Sequence, residues 1–259
     1  MSIENAIARL MAGAPRLEPG HVWLVGAGPG DPSLLTVDAL SALDQADVLV
    51  HDALVSKQIL DLAPDAERIF VGKRGGKVSI SQAEINEMLV DLARKGRKVV
   101  RLKGGHPYVF GRGGEEALAL VANGIPYRVL PGITSAFGGL TSAGIPATMR
   151  GVNGAITIAT GFATTNEDRP DWRSLARTGQ PIIIYMGLTH LGSTVADLLD
   201  GGLSSETPAA LIENATLPQE RTVIATLGTL VQSATEERIV SPVLIVIGHI
   251  VSLRERLAQ

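Results

Sequence analysis

The chain has no cysteine, which excludes a disulfide framework, a thiolate metal site and a cysteine nucleophile anywhere in its 259 residues. No stretch approaches the roughly 18 consecutive apolar residues of a spanning helix, so no membrane association is expected. The first residues carry Glu4 and Arg9 and no long apolar run, which does not predict a secretory signal, and a cytoplasmic location is the expectation. Five histidines, at 21, 51, 106, 190 and 249, show no metal-ligand spacing, so no bound metal is expected. A formal net charge of −3 argues against a surface built for nucleic acid, and any anion site must be local. There is no P-loop motif, internal repeat or low-complexity tract.

What is present is a globular composition, 45% hydrophobic and 19% charged, in a chain long enough for one large domain or two ordinary ones. Short runs of Val, Ile and Leu alternate with helical patterns, the pattern of an α/β protein. Strands are predicted over 22–25, 48–51, 98–102 and 127–130, with helices over 32–45, from about Ser56, over 81–95 and over 115–123. Ser81 and Glu84 are spaced as a capping box, and Gly96 as the stop. Residues 131–154 are dense in Gly, Pro, Ser and Thr and mark a domain junction, with one helix predicted over 135–143. The division is placed between 1–133 and 134–259. Beyond it, strands are predicted over 155–160, 181–186, 209–213, 222–226 and 243–247, and helices over 189–200, 227–233 and from about Ser252. The strand at 222–226 follows its predecessor too closely for a helical crossover, which predicts a mixed, partly antiparallel second half.

Residues 101–116 are the densest in chemistry: Arg-Leu-Lys-Gly-Gly-His-Pro-Tyr-Val-Phe-Gly-Arg-Gly-Gly-Glu-Glu. They leave the carboxyl end of a buried strand, where ligands dock in open α/β sheets. Gly104 and Gly105 would let backbone pass close to a ligand. A long flexible loop is the plain alternative. A second glycine loop, Gly26-Ala27-Gly28-Pro29-Gly30-Asp31, follows the first strand. It departs from the dinucleotide pattern G-x-G-x-x-G: the third glycine comes one residue early, and Pro29 removes an amide. Asp31 and Pro32 suit a helix cap and first position, so a carboxylate stands where a phosphate would go. Asp52, near the distance of a ribose-gripping acid, keeps the dinucleotide alternative open.

Six motifs carry a resemblance: Val-Gly-Ala-Gly-Pro-Gly-Asp at 25–31, Val-Gly-Lys-Arg at 71–74, Arg-Leu-Lys-Gly-Gly at 101–105, Phe-Gly-Arg-Gly-Gly-Glu-Glu at 110–116, Pro-Gly-Ile-Thr-Ser at 131–135 and Tyr-Met-Gly at 185–187. In this order, over nearly the whole chain, they resemble the tetrapyrrole methylases, and among these the members that act on uroporphyrinogen III. The resemblance implies a homodimer of two α/β domains with S-adenosyl-L-methionine in the cleft between them. The implied reaction moves two methyl groups in turn onto uroporphyrinogen III, giving precorrin-2 by way of precorrin-1 on the route to sirohaem and cobalamin. The chain resembles the single-function form. Position by position, the resemblance places Pro29, Gly104, Gly105, His106, Val109, Thr134, Ser135, Met186 and Ala215 around the cofactor. It ties Asp52, Lys73, Arg112 and Met186 to substrate binding and catalysis.

The chemistry suits these residue types. Methyl transfer from a sulfonium is an in-line displacement that depends on orientation, and afterwards a proton must leave a meso carbon. Asp52 at a strand end is a candidate base, with a turn cap as its plain alternative. Arg112 offers a planar fork for the substrate's carboxylate arms. Lys73, Arg74, Lys77, Arg101 and Lys103 would extend a positive patch. Met186, read from the residues alone, is core filler. One departure stands out, since the resembling proteins usually carry Asp where this chain has His106, and a neutral imidazole there would weaken or alter the contact to the cofactor.

Overall fold

The run Val22–Gly26 is buried along its whole length, as befits a strand covered on both faces. In the computed structural model, which describes residues 3–72, 80–162 and 168–257, it becomes β1 of a parallel sheet. Contacts divide the chain into two units, 1–134 and 135–259.

The first unit runs α1 (Ile3–Met11), β1 (Val22–Gly26), α2 (Val37–Gln45), β2 (Val48–His51), α3 (Lys57–Leu60), β3 (Glu67–Phe70), α4 (Gln82–Arg94), β4 (Val99–Lys103), α5 (Gly113–Ala122) and β5 (Tyr127–Leu130). Its strands pair in the order β3-β2-β4-β1-β5, all parallel. Alternation along each strand feeds two cores. Trp23, Val25, Leu49, Val100 and Leu102 pack with Ala39, Ala42 and Leu43 of α2 and Ile59 of α3. Val22, Leu24, Val48, Val50 and Val99 pack with Ile85 and Leu89 of α4 and with Ala117 and Leu120 of α5. The chain therefore leaves β1 toward one face and the adjacent β4 toward the other. Their carboxyl-end loops are neighbours where the strand order reverses, the usual ligand position in such sheets.

The second unit runs α6 (Ser135–Ser142), β6 (Thr157–Thr160), α7 (Trp172–Arg177), β7 (Ile182–Tyr185), α8 (Leu191–Asp200), β8 (Pro208–Glu213), β9 (Arg221–Thr226), α9 (Leu230–Glu236), β10 (Val243–Ile247) and α10 (Leu253–Leu257). The order is β6-β7-β10-β8-β9, with β10 antiparallel to both neighbours and β8 antiparallel to β9. The mixed character expected from the close spacing of 209–213 and 222–226 is present as this β8–β9 hairpin. Because β6, β7 and β8 point the same way, their carboxyl ends share one edge.

Local chemistry explains most boundaries. The α4 capping box is complete: Ser81 Oγ accepts from the Glu84 amide at 3.2 Å, and Glu84 Oε2 accepts from the Ser81 amide at 2.7 Å. The helix expected over 32–45 breaks in two. A 3-10 turn covers Pro32–Leu34, and α2 starts afresh because Thr36 Oγ1 accepts from the Ala39 amide at 3.1 Å. The sequence reading did not anticipate α1, β3 or α7.

Glu213 closes β8. Its carboxylate accepts from Arg221 Nε at 2.7 Å and from the Val240 amide at 2.8 Å, and the Arg221 bond leads in holding its pKa below the usual carboxylate value. A depressed carboxyl contributes stability above its unfolded pKa and loses it as pH falls through the folded one. Glu213→Gln is therefore expected to lower the thermal midpoint by a few degrees at neutral pH. At a pH low enough to protonate Glu213 the parent should converge on the variant, which melting curves across the acid range would show.

Candidate functional site

Three glycine-containing segments meet at the carboxyl edge of the first sheet. The Gly28 amide donates to the Gly105 carbonyl at 3.2 Å, the Gly105 amide donates to the Gly28 carbonyl at 2.6 Å, and the Ala27 amide donates to Lys103 O at 2.7 Å. A Cβ on Gly26 would lie 2.6 Å from the Gly105 carbonyl oxygen and closer still to the Gly132 amide nitrogen. A Cβ on Gly104 would lie 2.8 Å from Leu54 Cβ. These glycines admit the close approach of neighbouring chain. Gly28 and Gly105, at φ +71° and +69°, are also in the left-handed region.

Asp31 caps the 3-10 turn after the first loop, its Oδ1 accepting from the Ser33 amide at 2.8 Å. A carboxylate thus occupies the place a pyrophosphate would need, against the dinucleotide alternative. Pro29, beside it, is half-buried.

After β4 the chain makes the turn that holds His106. The Tyr108 amide donates to His106 Nδ1 at 3.0 Å. Nδ1 is therefore the unprotonated nitrogen, and a neutral ring carries its proton on Nε2. An aspartate oxygen would accept the same amide, so histidine keeps the turn while offering a donor in place of the second carboxylate oxygen. Val109 is half-buried in the same turn, its amide donating to His106 O at 3.1 Å. Phe110 and Arg112 take left-handed φ values of 51° and 59°, unusual for side-chained residues and typical of functional loops.

Arg112 stands at the start of α5 with its fork occupied: Nε and Nη2 donate to the two oxygens of Glu115 at 2.8 and 2.6 Å. Its pKa is raised and that of Glu115 lowered, each chiefly by this shared bond. With side chains 56% and 52% exposed, the pair is screened and exchangeable.

Below the loop the structure corrects the expectation of an open basic patch. Arg101 and Lys103, each 3% exposed, point from β4 into the α5 side and share one oxygen of Glu116, which is wholly buried; both contacts are 2.9 Å. Glu116 was not singled out from the sequence, although alternate cations on a buried strand call for a buried acid on the covering helix. Burial, ahead of Arg101's charge, pushes the Lys103 pKa down. Asp52 sits half-buried above this cluster, its Oδ1 accepting from the Leu54 amide at 3.0 Å and its Oδ2 lying 3.9 Å from Arg101 Nη2. The turn-cap alternative for Asp52 is thus realised and coexists with an electrostatic partner. Lys73, with Arg74 and Lys77, lies outside the described residues.

Thr134, the last residue of the first unit, is half-buried. The remaining candidates belong to the second unit. Met186 follows β7 at φ 52° and is 49% exposed, so it is not core filler. Ala215 lies between Asn214 and Thr216, both left-handed at 51° and 66°, just past β8. Ser135 opens α6, where the Ala136 amide donates to Tyr185 Oη at 2.6 Å, anchoring that helix start over the end of β7. Tyr185 is a further positioning feature that sequence reasoning missed. Ser135, Met186 and Ala215 are thus gathered at the edge shared by β7 and β8. An open apolar groove formed by α8 and α9, lined by Leu191, Val231, Ile239 and Val240 among others, contains none of the candidates. Among the described residues no group of His, Cys, Asp and Glu is arranged to hold a metal ion.

The sequence model of the Tetrapyrrole (Corrin/Porphyrin) Methylases matches residues 21–231, spanning both glycine loops and the strained turns after β7 and β8. The chain belongs to this family. A uroporphyrinogen-III C-methyltransferase of a Sinorhizobium species is 49% identical to this methylase over 251 residues, 96% of this chain and 90% of that protein. A siroheme synthase of Thiobacillus denitrificans is 48% identical over 240 residues, 92% of the methylase but only 50% of its own length. The methylase therefore spans half of that relative. Among solved structures, a uroporphyrin-III C-methyl transferase from Thermus thermophilus complexed with S-adenyl homocysteine superposes with a TM-score of 0.77 at 38% identity, covering 90% of this methylase and 99% of that chain.

Proposed function

We propose that the protein is an S-adenosyl-L-methionine-dependent C-methyltransferase that methylates uroporphyrinogen III twice, forming precorrin-2 by way of precorrin-1. The observation that carries this reading is the 49% identity to a uroporphyrinogen-III C-methyltransferase across 96% of the chain. The candidate residues fit the cofactor's chemistry. Val109, Met186 and Ala215 are apolar, Thr134 and Ser135 bring hydroxyls, and the Nε2–H of His106 suits the carboxylate of the methionine part. Pro29, Gly104 and Gly105 contribute the backbone frame. When bound, the cofactor supplies an electrophilic methyl group on sulfur.

In each transfer a carbon–carbon bond forms to the ring as the methyl–sulfur bond breaks, the electron pair stays on sulfur, and a proton later leaves a meso carbon. Asp52 is assigned to that proton, as the partly exposed carboxylate at the carboxyl end of β2. Arg112, with Lys73, is assigned to the carboxylate arms of the substrate; an arm would replace Glu115 in the Arg112 fork. The same reading takes the enzyme as a homodimer of the cytoplasm. No helix among the described residues is long and apolar enough to cross a membrane.

The test is anaerobic incubation with uroporphyrinogen III and S-adenosyl-L-methionine, followed by product mass. Gain of two methyl groups is the expected result. Cofactor binding without any methyl gain would overturn the choice of substrate while leaving the family intact.

A further inference from the structure

The guanidinium of Arg101 is tied down on three sides. Nε donates to Glu116 Oε1 at 2.9 Å, and Nη1 donates to the carbonyls of Val50 and Leu102 at 3.3 and 3.2 Å. Nη2 lies 3.9 Å from Asp52 Oδ2. Asp52 in turn belongs to the turn whose Leu54 packs on Gly104. A buried chain of groups thus links the first turn of α5, through β4, to the carboxylate at the end of β2.

Glu116 is loaded unevenly. Its Oε1 takes Arg101, Lys103 and, at 3.4 Å, Gln82 Nε2, whereas its buried Oε2 has no hydrogen-bond partner among the described residues. A carboxylate serving only to satisfy the core would spread two cationic donors over two oxygens. Here it is turned so that one oxygen holds both cations on the strand and the other takes neither of them. With Glu116 balancing one of the two buried cations, the second is left facing Asp52.

We propose that Arg101, held by Glu116, is a positioning residue for Asp52: it fixes the carboxylate's orientation for proton removal and touches neither substrate nor cofactor. Lysine in place of Arg101 keeps the charge but cannot bond Glu116 and two carbonyls from one rigid plane while holding a cationic nitrogen beside Asp52. The inference rests on the assignment of Asp52 given above.

The test is a double-mutant cycle on the full chain, with Arg101→Lys, Glu116→Gln, Asp52→Asn and the doubles, reading kcat and KM for the tetrapyrrole together with cofactor affinity by calorimetry. Arg101→Lys should lower kcat about 10- to 100-fold, part of what a placed general base contributes. Glu116→Gln, which keeps an acceptor for Nε, should lower it about 10-fold, and cofactor Kd should move less than about 2-fold in both. In the Asp52→Asn background neither change should cost more than about 2-fold further. Losses that multiply in that background, turnover unchanged in both single variants, or loss of the folding transition in both would overturn the proposal and leave the cluster as core. An active parent with a fully active Asp52→Asn variant would also overturn it. A parent that adds no methyl group would instead mark failure of the proposed function, visible before any variant is made.

Discussion

Gly26→Ala is expected to cost about 3 kcal/mol, the upper end for overpacking, and to remove turnover almost completely. The added methyl would meet backbone on two sides, the Gly105 carbonyl at 2.6 Å and the Cα of Gly132 at 2.7 Å, and neither can rotate away as a side chain would. Relief requires one of the loops after β1, β4 or β5 to shift. A displacement of about 1 Å in reacting geometry costs on the order of 100-fold in rate. The control is Gly114→Ala, in the first turn of α5, where a Cβ meets nothing within 4 Å. Helix propensity makes that change neutral to stabilising by about 1 kcal/mol. Urea unfolding and turnover of the two variants side by side check the prediction. Equal behaviour would show that the crossing of backbones tolerates a side chain after all.

Glu116→Ala should be the most destabilising single change in the first unit, by about 3–5 kcal/mol, because it strands two buried cations without their shared counter-charge. Arg101 retains its bonds to Val50 O and Leu102 O, but Lys103 loses its carboxylate partner. Part of the loss should be recovered at alkaline pH. The Lys103 pKa is already below its ordinary value, and removing Glu116 lowers it further. A lysine with a depressed folded pKa binds fewer protons folded than unfolded, so stability rises with pH through the window between the two values. Chemical denaturation at neutral and alkaline pH would reveal this as a ΔG that climbs more steeply in the variant than in the parent. A variant as stable as the parent at neutral pH would mean that water reaches the cluster and replaces the carboxylate.

Much of this architecture could be read from the residues because the signals were local. The Ser81–Glu84 box, the buried runs of β1, β2 and β10, and the left-handed stop at Gly96 are each set within a few positions. What escaped depended on partners distant in sequence. β3 has two exposed residues and no alternation of its own, and it is a strand because β2 offers it an edge. Arg101 and Lys103 read as part of a positive patch because nothing within five residues neutralises them; Glu116 does so from 13 to 15 positions away. The family's motifs were plain in the chain, yet sequence could not show that Arg112 is paired with Glu115 or that Gly105 is paired with Gly28. Motifs specify residue types at spacings, whereas such pairings depend on how two loops meet.

The reciprocal bonds of Gly28 and Gly105 have a kinetic consequence. Neither amide can reach solvent unless the other's carbonyl also lets go, so the loops after β1 and β4 must part in one concerted event. Their two amides should accordingly exchange hydrogen with bulk water at a common rate, as reporters of a single opening although nearly eighty residues separate them in the chain.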